Sequence, residues 1–160
     1  MANLEKGPWF KNDLEYVLSY TATLREPEVI GPLPEGLRLN FYITGGTFEG
    51  PNCKGILLPV GADWLTIRTD GIGLLDVRAT FKTDDDALIY TAYSGVLEAG
   101  PDGYKRAREG KLPDVVPLRV CSRMHTVHSK YQWLNRHQFM HFGEANLPTL
   151  TVRYDVYAMK

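Results

Sequence analysis

Short stretches in which apolar and polar side chains alternate run along most of the chain. A period of two places successive side chains on opposite faces of a β-strand. The 15 Gly and 10 Pro are spread through the sequence and separate these stretches, as an all-β chain requires. The predicted strands are residues 14–24, 37–47, 54–58, 62–68, 73–82, 87–97, 117–126, 131–142 and 150–158.

Helical signals are scarce. Residues 103–110 form the one fair helix candidate, about two turns long and ended by Gly110 and Pro113. The Pro-rich stretch 26–35 is interpreted as a connection, because its prolines forbid a helix. Eight or nine strands with one short helix favour an antiparallel β-barrel or a sandwich, and a closed barrel of about eight strands can hold a ligand.

Length, composition and charge narrow the class of protein. The 160 residues are predicted to form a single domain, 1–160, that buries a core without disulfide staples. A net charge of −1 without a basic stripe argues against nucleic acid as a partner. No run of 18 apolar residues predicts a membrane span, and residues 1–11 lack the apolar core of a secretory signal. With two distant cysteines, Cys53 and Cys121, the simplest prediction is a reduced, cytoplasmic protein, although a bridge between them stays open.

The predicted strand 131–142 has one face that mixes aromatic rings with Asn and His. That face is Tyr131, Trp133, Asn135, His137, Phe139 and His141. Aromatic walls with a few polar groups are typical of a small-molecule pocket. The alternatives are an outer wall of the barrel and a subunit interface. The preceding strand places Arg119, Cys121, Arg123 and His125 on one face.

Acid–base chemistry is the use of these histidines that the pattern favours. His125 and His141 are the predicted proton-transfer groups, with assistance from Asp76, Tyr90 and Tyr131. A metal site is not favoured, because residues i and i+4 on a strand lie about 13 Å apart. A nucleophile elbow, a phosphate loop and a dinucleotide fingerprint are absent from the sequence, so no nicotinamide or flavin cofactor is predicted.

Several segments resemble, in family order, the domain-of-unknown-function 3237 family. They are Ile-Thr-Gly-Gly-Thr-Phe-Glu-Gly-Pro at 43–51, Gly-Ala-Asp-Trp at 61–64, Leu-Asp-Val-Arg at 75–78, the segment 83–90, and Tyr-Gln-Trp-Leu-Asn-Arg at 131–136. The resemblance implies a small antiparallel barrel similar to calycin or allene oxide cyclase barrels. This chain departs from the family pattern at three positions. His125 stands where a Glu is usual, His141 where a small residue is usual, and Asp86 where a Gly is usual.

The sequence therefore predicts a cofactor-free enzyme, an isomerase, cyclase or lyase/hydratase, acting on a small organic molecule inside a barrel. The alternatives are a non-catalytic barrel for a hydrophobic ligand and an oligomeric structural protein. A homo-oligomer is also possible for the predicted enzyme. The predicted substrate-binding residues are Arg78, Arg123, Asn135, Trp64, Trp133, Phe139, Glu49 and Tyr42.

Overall fold

Nine strands form the protein, which is described from a computed structural model over residues 7–160. The strands β1 to β9 are Leu14–Leu24, Glu28–Leu33, Gly36–Glu49, Lys54–Ile67, Ile72–Thr83, Leu88–Glu98, Val115–His125, Phe139–Asn146 and Thr151–Met159. A short helix, α1, spans Gly103–Arg108, and a 3₁₀ helix spans Ser129–Arg136. In the described part of the chain, neither helix is long and apolar enough to cross a membrane.

The sheet closes into a barrel. Its strands are antiparallel and follow the order β1-β9-β8-β7-β6-β5-β4-β3-β2, and β1 also pairs with β3. That extra pairing joins eight strands into a ring and leaves β2 as an additional strand on the first half of β3. Closure pairs the backbone N–H and C=O groups that the edge strands of an open sheet would leave unpaired. The predicted antiparallel barrel with one short helix is confirmed.

Strict alternation fills the interior. On β5 the side chains of Leu75, Val77, Ala79 and Phe81 are buried, whereas Leu74, Asp76 and Arg78 are exposed. The same alternation on β7 buries every second residue from Val116 to Met124. One face of each strand therefore packs in the barrel and the other contacts solvent, as expected for an antiparallel sheet around a single core.

Two predicted boundaries were wrong. Residues 26–35 were predicted as a connection, but β2 lies within them. It tolerates Pro32 because it pairs with β3 alone, and an edge strand can lack one donor. The predicted strands 54–58 and 62–68 are joined in one strand, β4, which ends at Ile67 and whose register shifts between Leu57 and Gly61. A Cβ at Gly61 would lie 2.0 Å from the carbonyl oxygen of Arg78, so only glycine permits this bulge.

The prediction of a strand over 131–142 was wrong in its first half. Tyr131 and Leu134, three residues apart, are both buried, which is the period of the 3₁₀ helix rather than of a strand. This helix closes one end of the barrel, called here the plugged end. Its Tyr131 hydroxyl donates to the Asp85 carboxylate in the β5–β6 turn at 2.8 Å. The opposite end, where α1 lies between β6 and β7, is called the mouth.

Candidate functional site

An apolar pocket occupies the half of the barrel nearest the mouth, with an accessible volume of about 70 Å³. Its wall is mostly aliphatic, and three polar side chains form its floor: Asp63, Tyr93 and Tyr154. The remaining lining residues are Ala22, Leu24, Phe41, Ile43, Leu65, Leu75, Val77, Leu97, Leu112, Val116, Leu118, Ala145, Leu147 and Val152. Apolar walls that converge on a few polar groups are the usual form of a small-molecule site.

Asp63 is the acidic residue of this floor. It lies on β4 in the same inward alternation as Leu65 and Ile67, and it is half-buried because part of its surface faces the pocket. Its Oδ1 accepts the backbone N–H of Asp76 at 3.0 Å. Burial raises the pKa of the Asp63 carboxyl to about 7, and the Asp76 carboxylate adds to the rise while Arg38 opposes it. Both protonation states are therefore populated near neutral pH.

Three tyrosines and a histidine pack together at and beneath the floor. The Tyr93 ring lies 6.0 Å from the Tyr154 ring and 5.4 Å from the His141 ring, centroid to centroid. The Tyr20 hydroxyl donates to the Tyr93 hydroxyl at 3.2 Å. Burial raises the pKa of each of the three phenols above its ordinary value. They therefore remain protonated and serve as hydrogen-bond donors.

His141 is fully buried among these rings. Its Nε2 lies 2.7 Å from the Oγ of Ser122, which is itself 1 % exposed. Burial lowers the pKa of His141 to about 3, so the imidazole is neutral at physiological pH. Ser122 and His141 form a Ser–His pair, but neither lines the pocket. The pair therefore lacks the access that a nucleophile needs and instead supports the tyrosines above it.

The structure does not bring the predicted residues together. Among the predicted catalytic residues, His125, Asp76 and Tyr90 lie on the outer face, where the Tyr90 and His125 rings stack at 6.2 Å and Asp76 pairs with Arg78. Arg123 lies on that outer face as well. His125 and His141 thus occupy opposite sides of the barrel wall, because alternation on β7 and β8 separates them.

The other predicted residues are also distributed around the molecule. Glu49, Tyr42 and Trp64 alternate with the inward residues of β3 and β4, and the Tyr42 hydroxyl donates to Glu28 at 2.8 Å. Tyr131, Trp133 and Asn135 lie on the 3₁₀ helix, where Asn135 bonds the backbone of Thr126 in both directions. Phe139 is buried in the core with His141.

Sequence reasoning missed Asp63, Tyr93 and Tyr154. The signal for Asp63 was available, since it is an acidic residue in phase with the apolar positions of β4 and within a segment that carries the family resemblance. Both cysteines are free. Within residues 7–160, no three or more His, Cys, Asp or Glu side chains lie close enough to hold a metal ion.

Comparison with known proteins places the chain in a family. The model for "Protein of unknown function (DUF3237)" matches residues 12–159. A UPF0311 protein of Rhodopseudomonas palustris is 30% identical over 130 residues, which cover 80% of this chain and 85% of that protein.

Solved structures share the barrel. A β-barrel-like protein from Acinetobacter baumannii superposes with a TM-score of 0.80 at 31% identity, covering 98% of this chain and 99% of that one. A structure described as an enzyme from Penicillium herquei has a TM-score of 0.71 at 21% identity, covering 98% of this chain and 100% of that one, and shares the fold. The chain belongs to the DUF3237 family.

Proposed function

We propose that the protein is an enzyme that performs acid–base chemistry on a small, neutral, mainly apolar molecule held in the interior pocket. The observation that supports this most directly is the Asp63 carboxyl, set beside two phenols on the floor of an aliphatic pocket. Isomerase, cyclase and lyase/hydratase reactions suit such a site, because they require positioned proton donors and acceptors and leave the substrate's oxidation level unchanged.

The proton transfers involve the Asp63 carboxylate and the hydroxyl of Tyr93 or Tyr154. The Asp63 carboxylate accepts a proton from a substrate C–H or O–H, while the hydroxyl of Tyr93 or Tyr154 donates a hydrogen bond to the oxygen on which negative charge develops. The proton then returns from Asp63 to another atom of the substrate, or to a departing hydroxyl that leaves as water. Asp63 ends each cycle as it began, so the atoms and charges balance.

Two further properties support this assignment. The pKa of Asp63, about 7, is close to the value at which one group donates and accepts protons equally well. No Lys, Arg or His is among the lining residues of the described pocket, so an anionic substrate would meet the Asp63 charge without compensation. In this proposal His141, with its low pKa, positions the tyrosines instead of transferring protons.

Deuterium exchange tests the proposal even while the substrate is unidentified. The protein is incubated in D₂O with a library of neutral ketones, enols and phenols. Liquid chromatography with mass spectrometry then detects protein-dependent deuterium uptake, gain or loss of water, and mass-neutral rearrangement, the last as a change in retention time. We expect wild-type protein to accelerate at least one of these, and Asp63→Asn to lower that rate by about 10²- to 10⁴-fold.

Asp84→Asn is the matched control, since it removes the same charge from an exposed carboxyl at the plugged end. It is expected to keep the wild-type rate. Equal loss in both variants, or no loss in Asp63→Asn, contradicts the assignment of Asp63.

The aliphatic wall also favours a second candidate, a carrier of apolar ligands. A carrier binds members of the library in both wild-type protein and Asp63→Asn, and neither protein changes them. Binding without any exchange or rearrangement in wild-type protein would therefore select the carrier over the enzyme.

A further inference from the structure

The pocket is small for the use proposed above. Its accessible volume of about 70 Å³ holds a few water molecules, whereas small-molecule sites are usually about 300–1,000 Å³. A ligand larger than this space enters only if part of the wall moves. That part must be one that moves without breaking the backbone hydrogen bonds of the barrel.

The strands are held in place by their neighbours. All but two of the lining residues lie on strands, which pair on both sides around the ring. Moving any of these strands would break a ladder of backbone hydrogen bonds. The two exceptions are Leu112, which follows α1, and Leu147, which follows β8, and both are half-buried at the mouth.

Leu112 belongs to residues 99–114, called here the mouth segment. Gly100 and Gly110 flank α1 within it, with φ of +77° and +66°, and a Cβ at either position would meet nothing within 4 Å. Gly103 is the one buried residue of α1, and it packs against Gly71 of the β4–β5 turn. The mouth segment is thus bounded by two glycines of positive φ. It is attached to the barrel by the Ala99 N–H, which donates to the carbonyl oxygen of Gly71 at 3.1 Å, and by Tyr104, Ala107 and Leu112, which are only partly buried against the core.

One hydrogen bond joins the mouth segment, which contains Leu112, to the loop that contains Leu147. The backbone N–H of Leu147 donates to the carbonyl oxygen of Asp114 at 2.8 Å. The plugged end is held more firmly, because Tyr131 and Leu134 are buried there and Asn135 makes two 2.8 Å bonds to Thr126. The Tyr131 hydroxyl and the Lys130 ammonium also bond Asp85 there. Of the two ends, the mouth is therefore the one whose opening breaks fewer hydrogen bonds.

We propose that the mouth segment is a movable cover and that Leu112 and Leu147, at its seam, determine the size of the molecules that the pocket admits. The inference rests on the proposed use of the pocket as a ligand site, but not on catalysis by Asp63. Truncating either leucine removes a side chain from the entrance, and enlarging Leu112 obstructs it.

Entry of a neutral fluorescent probe, N-phenyl-1-naphthylamine, tests the cover by stopped-flow. We expect Leu112→Ala and Leu147→Ala to raise the association rate constant about tenfold and Leu112→Trp to lower it by a similar factor. Leu118→Ala is the matched control, because it enlarges the pocket from strand β7 and leaves the mouth unchanged. Its association rate constant is expected to change less than that of either Leu112→Ala or Leu147→Ala.

Several outcomes would overturn the cover. Equal acceleration in Leu112→Ala and Leu118→Ala would show that volume, not the seam, limits entry. Failure of every variant to bind the probe, or unchanged rates in both seam variants, would also contradict it. Because the probe undergoes no reaction, its entry rate in the leucine variants tests the cover alone, and turnover in Asp63→Asn tests the catalytic proposal alone, so the failure of one is distinguishable from the failure of the other.

Discussion

Asp63 and Asp76 show how much one residue's position changes its chemistry. Both are aspartates on neighbouring strands, and the backbone N–H of one bonds the carboxyl of the other. Asp76 is exposed and pairs with Arg78, whereas Asp63 faces the pocket and has its pKa raised to about 7. The difference follows from which side of the barrel wall each side chain occupies.

This pKa predicts a pH-dependent stability. A carboxyl whose folded-state pKa exceeds its unfolded value binds its proton more tightly in the folded protein, so stability falls as pH rises from about 3.8 to about 7. His141 opposes this trend, because its pKa is lowered from 6.5 to about 3 and its contribution rises with pH across that range. The two groups therefore partly cancel in the wild-type protein.

Asp63→Asn removes one of the two contributions. We expect the variant to be more stable than wild type at pH 8, by roughly 2 to 4 kcal/mol, and to gain stability with rising pH between about pH 3 and pH 6.5. Urea unfolding at a series of pH values measures both. A variant no more stable than wild type at pH 8 would mean that Asp63 is well solvated in the folded state.

At the scale of elements, the 3₁₀ helix depends on one carboxylate. Asp85 accepts hydrogen bonds from Tyr131, from Lys130 at 2.8 Å and from the Thr83 hydroxyl at 2.6 Å. These bonds, the one from Lys130 foremost, lower the pKa of Asp85. The sequence pattern of 131–136 does not contain this information, because the Asp85–Tyr131 contact joins residues far apart in the chain.

Asp85→Ala is expected to loosen the plugged end. Amide hydrogen exchange in residues 129–136 should become faster, because the bonds from Tyr131 and Lys130 are lost. Exchange in the interior of β5 and β6 should stay unchanged, since the third donor, Thr83, lies at the end of β5. Asp84→Ala, at an adjacent exposed carboxyl, serves as the control. In wild type the protection factors of these amides, which correct for the intrinsic pH dependence of exchange, are expected to fall as pH drops below about 3.8, since a group with a lowered pKa contributes fully above its unfolded value and progressively less below it. Uniform protection in all three proteins would contradict the role of Asp85.

At the scale of the whole molecule, closure depends on the pairing of β1 with β3. Gly46 lies opposite Ala22 of β1 on one side and Leu57 of β4 on the other, so β3 pairs with both neighbouring strands at this residue. A Cβ at Gly46 would lie 2.2 Å from the carbonyl oxygen of Thr21. Gly45 and Gly46, in the segment 43–51 that carries the family resemblance, thus lie where β1 and β3 pair to close the barrel.

Gly46→Ala is expected to destabilise the protein by about 2 to 4 kcal/mol, because the methyl group forces β1 and β3 apart. Gly31→Ala is the control, since Gly31 also has a positive φ of +114° but would meet nothing within 4 Å. It should cost about 1 kcal/mol of backbone strain alone. Chemical denaturation measures the free energy of unfolding of both variants. Equal losses would show that the backbone conformation at Gly46, and not steric contact between β1 and β3, causes the destabilisation.

Features that depend on near neighbours in the chain were predictable from the sequence. The alternation of apolar and polar residues predicted most strands and the residues on each strand face, and glycine and proline predicted the turns. These properties act over only a few residues. Family resemblance added the barrel. The four residues predicted to share one face of β7, which are Arg119, Cys121, Arg123 and His125, are all exposed on one face in the structure.

Long-range contacts in the folded chain determine which face lies inside the barrel and which residues lie at each of its ends. Closure through β1 and β3 placed His125 outside and Asp63 inside, and contacts from distant turns folded 129–136 into a 3₁₀ helix instead of a strand. The pKa of Asp63 depends on burial beside residues of several other strands. Such long-range contacts leave no period in the sequence, which is why the candidate site emerged from the fold and not from the pattern.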